Sequence, residues 1–256
     1  MSTNSPRGSI PAPTVRGSLS NGFQVFSDDV VPLLVAGFIV VAVQAICASV
    51  FVFVEHGMYI TAGLYLLVVS PLEFGMAFVC LRAVRSGRVT LEHLIAVTGS
   101  YGSVVGAGVI LSVASTLTIM SVMQSGSMII VTVIGCAFLC ATRFVPFLVL
   151  EDQLGGLDAI FESIRLSREV FLELLVITAL GTALMTLLGI SILGVAPALI
   201  WRNLCTASLY HAIARPPQGW AIEDEEELER RKREIAAEEA EEQAEQEAWE
   251  REQREG

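Results

Sequence analysis

The sequence predicts an all-α integral membrane protein with six transmembrane helices. Of its 256 residues, 53% are hydrophobic, which is more apolar than an ordinary soluble domain. Six apolar runs are each suited to cross a bilayer as a helix, which takes about 20 residues. They occupy residues 30–54, 58–81, 104–123, 128–150, 170–188 and 192–213.

The acidity of the chain belongs to its C-terminal end. The formal charge is −11, and residues 223–256 contribute −10 of it through 16 acidic and six basic side chains. The rest of the chain is nearly neutral, so it lacks the basic footprint of a nucleic-acid-binding protein. We therefore divide the chain into a disordered N-terminus (1–21), a membrane domain (22–215) and an acidic, helical cytoplasmic tail (216–256).

Arginines near the ends of the apolar runs predict the orientation. The N-terminal segment, the connections between spans two and three and between spans four and five, and the segment after span six contain eight of them: Arg7, Arg16, Arg82, Arg85, Arg88, Arg165, Arg168 and Arg215. The three opposite connections contain none. Because positive side chains accumulate on the cytoplasmic side, we expect a multi-pass protein of the cell (inner) membrane with both termini in the cytoplasm.

The segments before spans one, three and five predict a repeated unit. Each spaces apolar side chains by three and four residues, which is typical of an amphipathic helix at a membrane surface. These side chains are Phe23, Phe26 and Val30, then Leu91, Leu94 and Val97, and finally Phe161, Ile164 and Phe171. The membrane domain would then be three copies of a surface helix followed by a hairpin of two spans.

The tail is rich in residues with high helix propensity, namely Glu, Ala, Arg and Gln. Leu228 and Ile235 are seven residues apart and Trp249 follows two heptads later, but Glu242 interrupts the seam. A solvated helix is the favoured interpretation, and a coiled coil that binds a protein partner is the alternative.

Three charged side chains lie in the middle of apolar runs, where an unpaired charge is costly. Glu73 and Arg143 each precede the cytoplasmic end of their run by eight residues, about 12 Å along a helix. We expect them to pair inside the bundle, with Arg202 and Asn203 extending the polar cluster. Three interpretations stay open: a buried pair that fixes helix register, a cavity for an anionic headgroup or solute, and arginines that snorkel to the interface.

Other candidate residues favour structural roles. Glu151 and Asp152 are expected to be solvated residues at a span end rather than an acid–base pair. Cys136 and Cys140 share a helix face, and packing is favoured over soft-metal binding. Gly102 and Gly106 form a GxxxG pattern typical of close helix packing. The sequence contains no catalytic motif, so neither an enzyme, nor a cofactor, nor a metal is expected.

Two stretches resemble a known family: "PLEFGMAFVCLRAVRSGRVTLEHLI" (71–95) and "RFVPFLVLEDQLGGLDAIFES" (143–163). They are similar to a bacterial polytopic membrane family that includes the membrane domain of some glycerophosphoryl diester phosphodiesterases and stand-alone relatives of unknown function. There a proline-containing span ends in an acidic, glycine-bearing turn, and the next helix opens with an alanine and a serine four residues on, as Ala159 and Ser163 do here. The resemblance implies the architecture from about Gly22 to Ala214. It does not imply the phosphodiesterase activity, which resides in a separate soluble barrel of about 250 residues.

Two functions follow as expectations. The first is a non-enzymatic membrane protein that organises partners or supports membrane and lipid homeostasis, in contact with the bilayer and with a protein partner through the tail. The alternative is a small transporter or lipid-handling protein that takes an anionic lipid or solute at Glu73, Arg143 and Arg202. A cavity that reaches all three side chains would favour the alternative, and a dry, close-packed bundle would favour the first.

Overall fold

The computed structural model describes residues 12–53, 57–86, 89–123, 129–188 and 192–214. The regular secondary structure of this described part is entirely helical. Its helices are α1 Val15–Asp28, α2 Val30–Phe53, α3 Gly57–Leu64, α4 Ser70–Ser86, α5 Glu92–Ile95, α6 Tyr101–Met123, α7 Ile129–Ala141, α8 Val145–Glu151, α9 Gly156–Ser167, α10 Phe171–Leu188 and α11 Ile192–Ile213. The predicted acidic tail, with its coiled-coil alternative, and the first eleven residues lie outside the described part.

Within the described residues, five stretches of helix are long and apolar enough to cross a membrane. They are Val30–Val50, Ile60–Ser86, Glu92–Thr118, Ile130–Glu151 and Phe171–Leu188. The predicted class, an all-α multi-pass membrane protein, agrees with this result. Helix α11, at the sixth predicted span, has 22 residues and is not among these five stretches; Arg202 and Asn203 lie in its middle. Six spans therefore stay a prediction.

Two of the predicted spans are interrupted. Span two consists of α3, a π-helical segment Tyr65–Val69 and α4. Span four consists of α7, a turn at residues 142–144 and α8. The turn has a clear cause, because Pro146 has no N–H to donate to the carbonyl of Thr142. In a bilayer such irregular backbone needs partners from the protein.

Helix α9 supplies those partners at the break in span four. The hydroxyl of Ser163 donates to the carbonyl of Ala141 at 2.7 Å and accepts from the N–H of Phe144 at 3.2 Å. The hydroxyl of Ser167 donates to the same carbonyl at 2.8 Å. The serine that the family resemblance singled out therefore binds the backbone freed by the break.

Helix α1 begins earlier than the sequence predicts. It starts at Val15, where the side chain of Thr14 caps it by accepting from the N–H of Gly17 at 3.1 Å. The expectation of disorder up to residue 21 is therefore wrong for residues 15–21. This part of α1 packs closely against α11, where Gly22 lies against Cys205. The side-chain amide of Asn21 also donates a hydrogen bond of 2.9 Å to the hydroxyl of Ser208.

The helices that precede α2, α6 and α10 each expose a large apolar side chain. Phe23 of α1, Ile95 of α5 and Phe161 of α9 are exposed by 64%, 62% and 69%. The faces that pack on the bundle contain both small side chains, such as Ser163, and larger apolar ones, such as Leu94 and Ile160. The exposed side chains are suited to contact with a membrane interface. The middle element is shorter than predicted, since α5 is a single turn followed by the 3₁₀ segment Ala96–Ser100.

Helices α4 and α11 form the centre of the bundle. Helix α11 packs against α1, α2, α4 and α10, and most of its residues after Ala196 are buried. At one end of this centre Arg85 forms an ion pair with Glu151, lies over the ring of Tyr210 at 5.6 Å and donates to the carbonyl of Ala214 at 3.5 Å. The side chain of Glu151 is only 1% exposed. The expectation that Glu151 is a solvated flank residue is therefore wrong, whereas Asp152 is exposed.

Candidate anion-binding cavity

A cavity of about 740 Å³ lies among the helices of the bundle. Its wall is built from α2, the π-helical segment, α4, α6, the break between α7 and α8, α10 and α11. Ligand sites in proteins typically have volumes of about 300–1,000 Å³, so the cavity can hold a small solute or a lipid headgroup.

All four residues of the predicted polar cluster line this cavity: Glu73, Arg143, Arg202 and Asn203. Helix α6 adds the hydroxyl side chains of Ser112, Ser115 and Thr116 to the wall. Between the described helices there is thus a cavity with several polar side chains in its wall, rather than a close-packed seam.

Glu73 is held by neutral side chains. It accepts a hydrogen bond of 2.6 Å from the amide of Gln44, and the hydroxyl of Tyr65 lies 3.3 Å from each of its carboxylate oxygens. Within the described residues neither Arg143 nor Arg202 forms an ion pair with it. The expected Glu73–Arg143 pair is therefore wrong, because equal depth does not fix the rotation of two helices about their axes. Arg202 is the stronger electrostatic neighbour of Glu73, and Arg143 is the weaker one.

The two arginines reach the cavity in different ways. Arg143 lies at the break in span four, between α7 and α8. Arg202 projects from α11, and its aliphatic stem crosses α10 at Gly181: a Cβ added to Gly181 would lie 2.5 Å from the Arg202 Cγ. Because Gly181 has no side chain, the stem of Arg202 can pass α10 at this position.

Arg143 and Arg202 leave donors unused. The Nε atom of each is buried and makes no hydrogen bond to any described residue. Both arginines also line the same cavity. With Glu73 as the single carboxylate among the described lining residues, the cavity has a surplus of one positive charge.

This arrangement can bind an anion. A guanidinium offers five N–H donors in a planar fork that matches the oxygens of a phosphate or a carboxylate. An anion between Arg143 and Arg202 would satisfy the free Nε donors and cancel the surplus charge, and both effects are stronger in a site of low dielectric constant than in water.

Gln44 and Tyr65 are the cavity residues that sequence reasoning missed. Gln44 had a signal, because it is the one strongly polar side chain in an apolar run, and such side chains face protein inside membranes. The sequence contains no signal for Tyr65, because its approach to Glu73 depends on the π-helical segment that begins at Tyr65.

Other candidates of the sequence do not form sites in the described part of the chain. No three His, Cys, Asp or Glu side chains there come together as metal ligands. Cys140 is buried and Cys136 exposed. A Cβ added to Gly102 or Gly106 would meet no atom within 4 Å, so within the described chain the expected close packing at this GxxxG pair is not found.

Comparison with protein-family models, with curated proteins and with solved structures finds no match to this chain. The resemblance to the phosphodiesterase membrane-domain family therefore stays a prediction that rests on the two quoted stretches.

Proposed function

We propose that this protein binds the anionic group of a lipid or solute in the intramembrane cavity, as a small transporter or lipid-handling protein. The observation that supports the proposal is the pair Arg143 and Arg202. Both line a cavity of about 740 Å³, and both have a buried Nε without a hydrogen-bond partner among the described residues. Buried donors without partners are rare in folded proteins and call for an explanation. A bound anion supplies one.

The cavity favours this function over the first expectation, a protein that only organises partners. A purely organising protein needs no polar space inside its membrane bundle, and its buried charges would be paired, as Arg85 and Glu151 are. Recruitment of a protein partner by residues 216–256 is compatible with anion binding and stays a separate proposal.

The proposed setting is a six-span bundle with both termini in the cytoplasm of a bacterial cell, as the arginine distribution predicts. We take α11 as the sixth span, since its length of 22 residues corresponds to about 33 Å of helix. Its polar side chains Arg202, Asn203 and Thr206 line the cavity, which removes the main objection to its crossing a membrane. The order of surface helix and hairpin, three times over, is part of the same proposal.

Thermal unfolding of the full chain in a mild detergent tests the binding. Three probes distinguish the sources of the anion: phosphatidylglycerol, an anionic phosphodiester lipid; phosphatidylcholine, its zwitterionic counterpart; and dimethyl phosphate, a soluble phosphodiester. We expect a saturable rise in melting temperature with phosphatidylglycerol or dimethyl phosphate and little change with phosphatidylcholine. A response to phosphatidylglycerol alone identifies a lipid ligand. A response to both phosphatidylglycerol and dimethyl phosphate indicates a site that recognises the phosphodiester group itself.

Charge-removing variants decide whether the cavity is responsible. We expect Arg143→Gln and Arg202→Gln to abolish the rise in melting temperature. Arg165→Gln is the matched control, since Arg165 is 74% exposed and is paired with Glu162 on the surface of α9. Equal stabilisation of all three variants would contradict the proposal, and so would a wild-type protein that responds to neither anionic probe.

A further inference from the structure

We propose that Glu73 is a proton-binding site coupled to the anion site, so that a proton and an anion enter the cavity together. This inference rests on the proposed function and adds a second ligand, the proton. It starts from the hydrogen-bond partners of Glu73, which suit both protonation states of a carboxyl group.

The partners of Glu73 can reverse their roles. Gln44 now donates its amide N–H to Glu73, and rotation of the amide about its last bond presents its carbonyl oxygen instead. The hydroxyl of Tyr65 can either donate or accept. An ionised Glu73 therefore accepts from both groups, and a protonated Glu73 has an acceptor for its O–H.

The contrast with Glu151 strengthens this point. Glu151 is in direct contact with Arg85, which is an ion pair. Glu73 has two arginines nearby, and neither makes such a contact in the described structure. The carboxylate of Glu151 thus takes part in an ion pair. The carboxylate of Glu73 has no ion-pair partner among the described residues, so its protonation breaks no ion pair there.

Charge counting couples the proton to the anion. With Glu73 ionised, the described cavity lining holds two cations and one anion, so a carboxylate competes with an incoming anion for Arg143 and Arg202. Protonation of Glu73 removes this competition and leaves both guanidinium groups to the ligand. Since linkage is reciprocal, a bound anion also favours uptake of a proton from solvent at Glu73.

The remaining charged groups near α4 do not offer the same coupling. Tyr65, Arg143 and Arg202 are the titratable groups that face Glu73 within the described lining. Arg82, Arg85, His93, Glu151 and His211 lie at the far end of α4 and its neighbours; Arg82 is nine residues from Glu73, about 14 Å along the helix. His93 is engaged there with Thr90 at 2.9 Å and with the ring of Phe78.

The pH dependence of binding tests the coupling. The probe is phosphatidylglycerol or dimethyl phosphate, whose phosphodiester charge does not change between about pH 5 and 8. We expect the apparent Kd of wild type to rise with pH, by up to tenfold per pH unit when one proton enters with each anion. Glu73→Gln should bind at every pH as tightly as wild type does at low pH. Glu162→Gln, on the surface of α9, should keep the wild-type pH dependence.

The outcomes separate this inference from the proposed function. Binding that needs Arg143 and Arg202 but has no pH dependence in wild type overturns proton coupling and leaves the anion site standing. A slope retained in Glu73→Gln overturns it as well. Absence of binding at any pH overturns both. Should Glu73→Gln fail to fold, proton uptake by wild type on addition of dimethyl phosphate in weak buffer decides: up to one proton per bound anion is expected, and none refutes the coupling.

Discussion

Arg85 and Arg143 place the same side chain in two different environments. Arg85 contacts the carboxylate of Glu151, the ring of Tyr210 and the carbonyl of Ala214. Among the described residues, the side chain of Arg143 forms no ion pair with a carboxylate, lies over no aromatic ring and donates to no backbone carbonyl, and it faces the cavity. A buried charge in contact with an opposite charge supports the fold, whereas one that faces a cavity without an ion-pair partner among the described residues supports binding.

The Arg85–Glu151 pair should be important for stability. Glu151→Gln removes one charge and leaves Arg85 buried without its counter-ion, which typically costs about 3–5 kcal/mol. Glu162→Gln breaks an exposed pair with Arg165, for which about 0–1 kcal/mol is typical. Denaturation of both variants in detergent makes the comparison, and equal losses would show that Glu151 is not buried as described.

Ser163 should be more important than Ser167 at the break in span four. Ser163→Ala leaves the N–H of Phe144 without its side-chain partner and removes one bond to the carbonyl of Ala141. An unsatisfied buried group costs about 1–3 kcal/mol. Ser167→Ala removes only the second bond to Ala141, so its loss should be smaller. Unfolding free energies in the reverse order would contradict this account of the break.

At the scale of single residues, the sequence singled out four polar side chains that line one cavity, but not the hydrogen-bond partners of Glu73. Counting from the span ends placed Glu73 and Arg143 at equal depth, and both line the cavity. The choice of Gln44 and Tyr65 as partners of Glu73 depends on how α2 and the π-helical segment are rotated. The rotation of each helix about its axis is set by packing across the whole bundle, so it cannot be predicted from a local sequence pattern.

At the scale of elements, the sequence contains a signal for one of the two helix interruptions but not for the other. Pro146 marks the break in span four, because a proline removes a backbone donor. The π-helical segment Tyr65–Val69 has no such marker. Segments of this kind appear mostly as single turns within α-helices, frequently at functional sites, and here one carries Tyr65 into the cavity wall.

The crossing of α10 and α11 gives a prediction that leaves every charge in place. Gly181→Ala puts a methyl group where the stem of Arg202 passes, so it should shift the guanidinium and weaken binding of phosphatidylglycerol or dimethyl phosphate. Gly106→Ala is the control, since a Cβ there meets no atom within 4 Å and alanine favours a helix over glycine by about 1 kcal/mol. Unchanged anion affinity in Gly181→Ala would show that the position of Arg202 does not matter to the site.

At the scale of the whole molecule, composition predicted the class of protein because burial in a bilayer demands long apolar helices. Among the described residues, five stretches satisfy this demand, and α11 is not one of them. The polar side chains Arg202, Asn203 and Thr206 of α11 line the cavity. A hydropathy average cannot distinguish a polar site within a span from a helix outside the membrane.

The predicted topology can be checked by cysteine labelling. In a variant without its five native cysteines, a cysteine at Ser125 should react with an impermeant reagent in intact cells, because Ser125 lies in a connection without arginines. A cysteine at Ser86, beside Arg85, should react only after permeabilisation. Labelling of Ser86 in intact cells would reverse the orientation.

The central claim is that Arg143 and Arg202 hold an anion inside the membrane bundle. Native mass spectrometry of the full chain, released from its own membrane in a mild detergent, tests it most directly. We predict a bound anionic molecule, one per chain, that disappears in Arg143→Gln/Arg202→Gln and persists in Arg165→Gln. A wild-type protein that carries no such molecule, or one whose bound molecule survives loss of both cavity arginines, would contradict the account.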